Sequence, residues 1–200
     1  MGKNFIGPDE LNCISEHMEL MIPDPVPPIP FLMETLESCQ ENYILVLATS
    51  NWKNGNILNI NSLRNHFGWN PAKYEPCFYN QDWYVKESFA TQTILTHWLM
   101  VKKSVEDPLR GVDPANEILS RFEKKVFLKA VDAVYLFFVW NLARGEFLWS
   151  NDYVWCSDLD KNGDRIYIGK YSDPNGINKN GLEIHRHLRI RDNYSFVFNI

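Results

Sequence analysis

Two short stretches of this chain carry residue types that could hold a metal or a polar ligand. The first is Glu183-Ile184-His185-Arg186-His187. Alternate side chains of a strand point to the same face. Glu183, His185 and His187 would therefore share one side, continued by Arg189 and Arg191. Two histidines two residues apart on a strand can bind one metal ion, with Glu183 as a further donor. That arrangement would suit a metal-assisted hydrolase using His185 and His187. Without a metal, the same face offers imidazole and guanidinium donors to an anionic or polar ligand. The second stretch runs from Asp158 to Asp164. Asp158, Asp160 and Asn162 occupy positions one, three and five of a calcium loop, with glycine at six. The match then stops, because Gly169 stands where the bidentate glutamate belongs and Arg165 where an apolar residue belongs. A hairpin turn with a polar tip accounts for the same residues, so no calcium is expected there.

No nucleophile-elbow serine, phosphate-cradling glycine loop, His-Glu-x-x-His or dinucleotide fingerprint occurs. Glu75, Asp82, Lys86 and Glu87 lie close in sequence beside Trp83 and Tyr84, a grouping too common to define a reaction. No catalytic residue and no cofactor are assigned. The first expectation is a non-catalytic domain that binds a ligand or a protein partner. The others are the hydrolase above and a structural or assembly protein of phage or mobile-element origin, with aromatic side chains as subunit contacts.

These residues need elements to position them. After Glu146 the apolar pattern has period two, which predicts strands over 147–156, 165–171, 182–190 and 194–198. Asn162-Gly163, Asn175-Gly176 and Asn180-Gly181 fall between them, and Asn-Gly is a strong hairpin signal. An antiparallel β region over about 146–199 follows. Within it, Leu182, Ile184, Leu188 and Ile190 alternate with polar residues, and Arg186 interrupts the apolar face. Before it, Asp113-Pro114 is a good helix start. A helix over about 115–143 would align Ile118, Phe122, Val126, Ala130, Val134 and Phe137. Residues 133–140 are apolar all round, which predicts the central buried element, and Gly145 ends it.

Further towards the N-terminus, Pro8-Asp9-Glu10 opens a short helix to about residue 21. Five prolines among residues 23–30 predict an extended strap. A helix over 31–41, a buried strand over 43–48, a turn at Asn54-Gly55, a helix capped near Asn61-Ser62 and a strand over 94–102 follow. The whole reads as one α+β domain, residues 1–200, with a helical N-terminal half and a C-terminal β region.

Composition sets the remaining bounds. A chain of 200 residues can bury a core without staples. Its 7 Trp, 9 Tyr and 12 Phe predict an aromatic-rich interior. A net charge of −5 speaks against a dominant nucleic-acid or anionic-membrane footprint. Cys13, Cys39, Cys77 and Cys156 form no paired motif and are expected to be reduced thiols. The N-terminus lacks a signal-peptide run, and the longest apolar run, 133–140, is too short to span a bilayer. A cytoplasmic chain is the expectation.

Several motifs, in order, resemble a family of uncharacterised bacterial proteins. They are Pro28-Ile29-Pro30-Phe31, Thr35-Leu36-Glu37-Ser38-Cys39, Tyr43-Ile44-Leu45-Val46, Asp82-Trp83-Tyr84 with Phe89-Ala90, Trp98-Leu99-Met100-Val101-Lys102-Lys103 and Tyr153-Val154-Trp155-Cys156-Ser157-Asp158-Leu159-Asp160, running into Gly163-Asp164-Arg165-Ile166-Tyr167-Ile168-Gly169. The end of the chain, Arg191-Asp192-Asn193-Tyr194-Ser195-Phe196-Val197-Phe198, resembles the tail of C-type-lectin-like domains diversified by retroelements. The resemblance implies a binding role, with residues 175–200 as its variable part, and no enzyme activity.

Overall fold

A computed structural model describes residues 1–114, 126–173, 175, 180–186 and 189–200. Two mixed sheets and one central helix organise them. The helix, Ala130–Arg144, is buried at every position from Ala130 to Trp140. Its side chains are apolar on all sides over 133–140, so only a position enclosed by other elements accepts it. The first sheet supplies one wall through Tyr43–Ala48, and the second supplies another through Tyr153–Leu159 and Arg165–Gly169. Short helices Pro8–Cys13, Ile60–Phe67 and Ser88–Thr91 close the remaining sides.

In chain order the helices are α1 (Pro8–Cys13), α2 (Met33–Cys39), α3 (Ile60–Phe67), α4 (Ser88–Thr91) and α5 (Ala130–Arg144). The strands are β1 (Phe5–Ile6), β2 (Tyr43–Ala48), β3 (His97–Lys102), β4 (Val126–Phe127), β5 (Tyr153–Leu159), β6 (Arg165–Gly169), β7 (Glu183–His185), β8 (Tyr194–Ser195) and β9 (Phe198–Asn199). The first sheet has the order β1-β2-β3-β9-β4 and the second β7-β6-β5-β8. The first hundred residues thus carry three strands as well as four short helices. β2 and β3 pair antiparallel over their whole length, from Tyr43 opposite Lys102 to Ala48 opposite His97. The proline-rich segment is tied over this sheet, where Trp98 Nε1 donates to the Pro27 carbonyl at 2.8 Å.

The expected helix over 115–143 is corrected at its start. Residues 115–125 lie outside the described residues, and Val126–Phe127 is strand β4, paired with β9. The reason is tertiary. The Phe127 ring joins Phe196 and Phe198, at 5.3 Å from each. Lys129 is extended at the helix cap, and the Asp158 carboxylate accepts the Ala130 N–H at 2.6 Å. A carboxylate at a first-turn N–H satisfies an orphan donor and complements the helix dipole. At the other end Gly145 adopts the left-handed conformation (φ 75°), which ends α5 as expected.

The C-terminal β region is mixed rather than purely antiparallel. β5 and β6 form the expected hairpin across Asn162-Gly163, but β8 lies parallel to β5. The run 194–198 is divided, with Tyr194–Ser195 in the second sheet and Phe198–Asn199 in the first. Residues 147–152 precede the strand rather than join it, since Trp149 and Asn151 take positive φ. The expected strand 182–190 is regular only over Glu183–His185; residues 187 and 188 lie outside the described residues. Asn180-Gly181 is no hairpin tip. A Cβ on Gly181 would stand 2.2 Å from the Phe78 backbone carbon, and Leu182 exchanges backbone hydrogen bonds with Cys77 and Tyr79. Glycine serves there for close backbone approach. Gly176 lies outside the described residues.

All four cysteines are free thiols, three of them buried. Among the described residues no helix is long and apolar enough to cross a membrane.

Candidate functional site

The face of β7 has the register the alternation predicts. Ile184 is fully buried beneath the sheet, while Glu183 and His185 share the opposite face. There they are drawn into an internal network. The Tyr153 hydroxyl donates to Glu183 Oε2, and His185 Nε2 lies 3.0 Å from the same oxygen. Gln81 Nε2 reaches His185 Nδ1 at 3.3 Å. Both imidazole nitrogens are thus engaged by protein. Burial, then Glu183, pushes the Tyr153 phenol far above its usual range. Rings of Tyr153, Trp155, Tyr167 and Tyr194 pack edge-on or tilted against one another, with centroids 4.7–5.9 Å apart. Arg189 and Arg191 are exposed. His187 lies outside the described residues, so its pairing with His185 is not placed. Among the described residues no group of three or more His, Cys, Asp or Glu could hold a metal ion.

The Asp158–Asp160–Asn162 triplet is pulled apart by its own folding. Asp158 turns to α5, as above. Asp160 turns inward, accepting the N–H groups of Asn162 and Asp164 at 2.8 Å each and pairing with Arg186. Burial works to raise its pKa, but the Asp164 N–H and Arg186 outweigh that and hold the carboxyl below its ordinary value. The loop is an Asx-type hairpin tip in which both oxygens of Asp160 are occupied and Asp158 turns away from it. Calcium titration should therefore leave the melting temperature unchanged. A rise of several degrees at micromolar free calcium, the mark of a ligand bound only by the native state, would show the loop to be a cation site.

Two cavities lie elsewhere, on the α1–α3 side. One of about 470 Å³ is lined by Glu19, Trp52, Asn54, Asn56, Ser62 and Asn65. A second, of about 620 Å³, is lined by His17, Phe67, Tyr74, Glu75, Pro76, Asn141 and Leu142. Both also include Glu16 and His66, so they adjoin each other across these residues, and together they are termed the α1–α3 groove. Local rules build its walls. Asn59 caps α3 by accepting the Ser62 N–H, and Ser62 Oγ reciprocates to the Asn59 N–H. The same hydroxyl accepts Trp52 Nε1 at 3.1 Å, which fixes the indole 4.7 Å from the His66 ring. His66 Nε2 donates to the His17 carbonyl at 2.6 Å, joining α3 to the turn after α1. Phe67 stacks on Phe138 of α5 at 4.0 Å, anchoring the floor.

This lining contains three carboxylates and no lysine or arginine. Among the described residues the side chains of Glu16, Glu19, Asn56 and Asn65 make no hydrogen bond or ion pair. Sequence reading treated Asn54-Gly55 and Asn61-Ser62 as turn and cap signals alone. The available signal was the density of asparagine, with six between residues 51 and 65. Only the fold brings three of them, Asn54, Asn56 and Asn65, to one cavity with Glu16.

No protein-family model matches this chain, and neither the curated proteins nor the solved structures offer a match.

Proposed function

We propose that this chain is a non-catalytic binding domain whose ligand site is the α1–α3 groove, and that the ligand is a neutral, hydroxyl-rich molecule of the carbohydrate class. One observation carries the reading: two adjoining cavities set aromatic rings beside the side chains of Glu16, Glu19, Asn56 and Asn65, which have no partner among the described residues. Amides and carboxylates present paired donors and acceptors to neighbouring hydroxyls. Ring faces such as that of Tyr74, exposed at the groove, pack on the C–H face of a sugar. Unpaired carboxylates disfavour an anionic ligand.

The test is a titration with neutral oligosaccharides, followed by backbone amide resonances. Resonances of residues 54–56 and 65–66 should move. Glu16→Ala with Asn65→Ala should weaken binding by about tenfold or more, since each removes roughly one hydrogen bond. Both positions are exposed, so melting should be unchanged. Absence of binding at millimolar ligand would overturn the proposal. Shifts confined to residues 183–191 would favour a different surface, with Glu183, His185, Arg189 and Arg191 as contacts. Exposed arginines on connections longer than their strands support that C-type-lectin-like reading.

A further inference from the structure

Asp132 is the acid in the middle of the buried machinery. It stands in the first turn of α5 and is 8% exposed. No ion pair reaches it within 4.0 Å among the described residues. Its side chain faces two cavities. The smaller, about 60 Å³, is bounded by Ile94, Leu95 and Val131; the larger, about 460 Å³, by Phe127, Leu128, Ser157 and Asn199. His97, Lys129 and Asp132 line both.

Groups from β3, from β5 and from the approach to α5 surround Asp132. From β3, His97 places Nδ1 2.8 Å from the Leu95 carbonyl. Nδ1 therefore donates to that carbonyl. From β5, Asp158 adds a second carboxylate, one oxygen of which is occupied by the Ala130 N–H. Cys156, also from β5, is a fully buried neutral thiol whose pKa burial drives upwards. From α5's own approach comes Lys129, whose residue is exposed. An ionised carboxylate buried without a paired cation is costly. Burial accordingly raises the Asp132 pKa to about 6, with His97 and Lys129 opposing the rise and Asp158 adding to it.

We propose that this cleft is a second ligand site, for a small organic amine whose ammonium group pairs with Asp132 while its apolar body lies along Phe127 and Leu128. The larger cavity falls within the usual span of small-molecule pockets, about 300–1,000 Å³. The smaller one has room for a head group of roughly two water volumes. Both the ligand's charge and the cleft's location separate this site from the groove.

The probe is benzylamine, with benzyl alcohol and benzoate as neutral and anionic counterparts of the same shape. Benzylamine should move resonances of residues 97, 127–129 and 132–133. Binding should weaken about tenfold or more in Asp132→Asn, an isostere that keeps the shape and loses the charge. Affinity should fall as pH drops below about 6, where the carboxyl protonates. Asp132→Asn should melt no lower than the parent near neutral pH, because it removes an unpaired buried charge. The groove variant Glu16→Ala with Asn65→Ala should bind benzylamine as the parent does. Equal or better binding of benzyl alcohol or benzoate, undiminished binding by Asp132→Asn, or no shift at saturating millimolar amine would each overturn the proposal.

Discussion

Replacing Arg186 by Met should destabilise the chain by about 3 kcal/mol, the lower end of the cost of breaking a buried ion pair from one side. The guanidinium lies over the Trp83 ring at 4.4 Å and joins two carboxylates. Asp160 has a fully buried side chain, and Glu87, 4.0 Å away, is nearly as covered. Glu87 also accepts the Lys161 N–H at 3.0 Å, so the group ties the β5–β6 hairpin tip to the start of α4. Without Arg186, both acids remain buried with too few donors. Asp160 is covered by its own loop at the edge of the molecule, where water is close, which places the cost at the lower end of the range. The pH dependence has a definite sign. Since the folded-state pKa of Asp160 is lowered, its contribution is present above the unfolded value and is lost as pH falls through the folded one. The gap between parent and variant should therefore be widest near neutrality and shrink in acid below about pH 4. Denaturant unfolding at both pH values measures it. Adding Asp160→Asn to Arg186→Met should recover part of the loss. A variant as stable as the parent at neutral pH would show the cluster to be ornamental.

Val134→Asp should be at least as severe, on the order of 3 kcal/mol or more. Val134 is fully buried in α5, and its helical neighbours Ala133, Tyr135, Leu136 and Phe138 are fully buried too. The nearby Asp132 shows what an acid needs in this helix, namely a cavity beside it, with a raised pKa as the residual cost. Val134 lines none of the cavities described above. The variant should be largely unfolded or insoluble. A soluble protein melting with the parent would mean that α5 is not the central element.

The two predictions differ in how far the sequence anticipates them. Burial of 133–140 follows from eight apolar residues in a row, because no helical face is left for water. The strand Tyr43–Ala48, the hairpin tip at 158–164 and the alternation of Glu183, Ile184 and His185 are legible for the same kind of reason. Each depends on neighbours in the chain, and period or turn chemistry reports such neighbours directly.

Other features were decided by residues far apart in sequence. Val126 fits the apolar stripe of a helix, yet pairing with β9 puts it in a strand with Phe127. The run 194–198 has one period but serves two sheets, since its ends meet β5 and β4 respectively. Asp160 looks like a cation ligand until Arg186, 26 residues on, claims it. His185 looks like a metal ligand until Gln81, 104 residues back, meets its second nitrogen. The α1–α3 groove and the cleft at Asp132 exist only because separate elements stop short of one another there. Local sequence determined the elements that any neighbour would accept; the partners of each polar side chain, and hence the candidate sites, were decided by tertiary packing, because a hydrogen bond or a cavity depends on distances that no periodicity records.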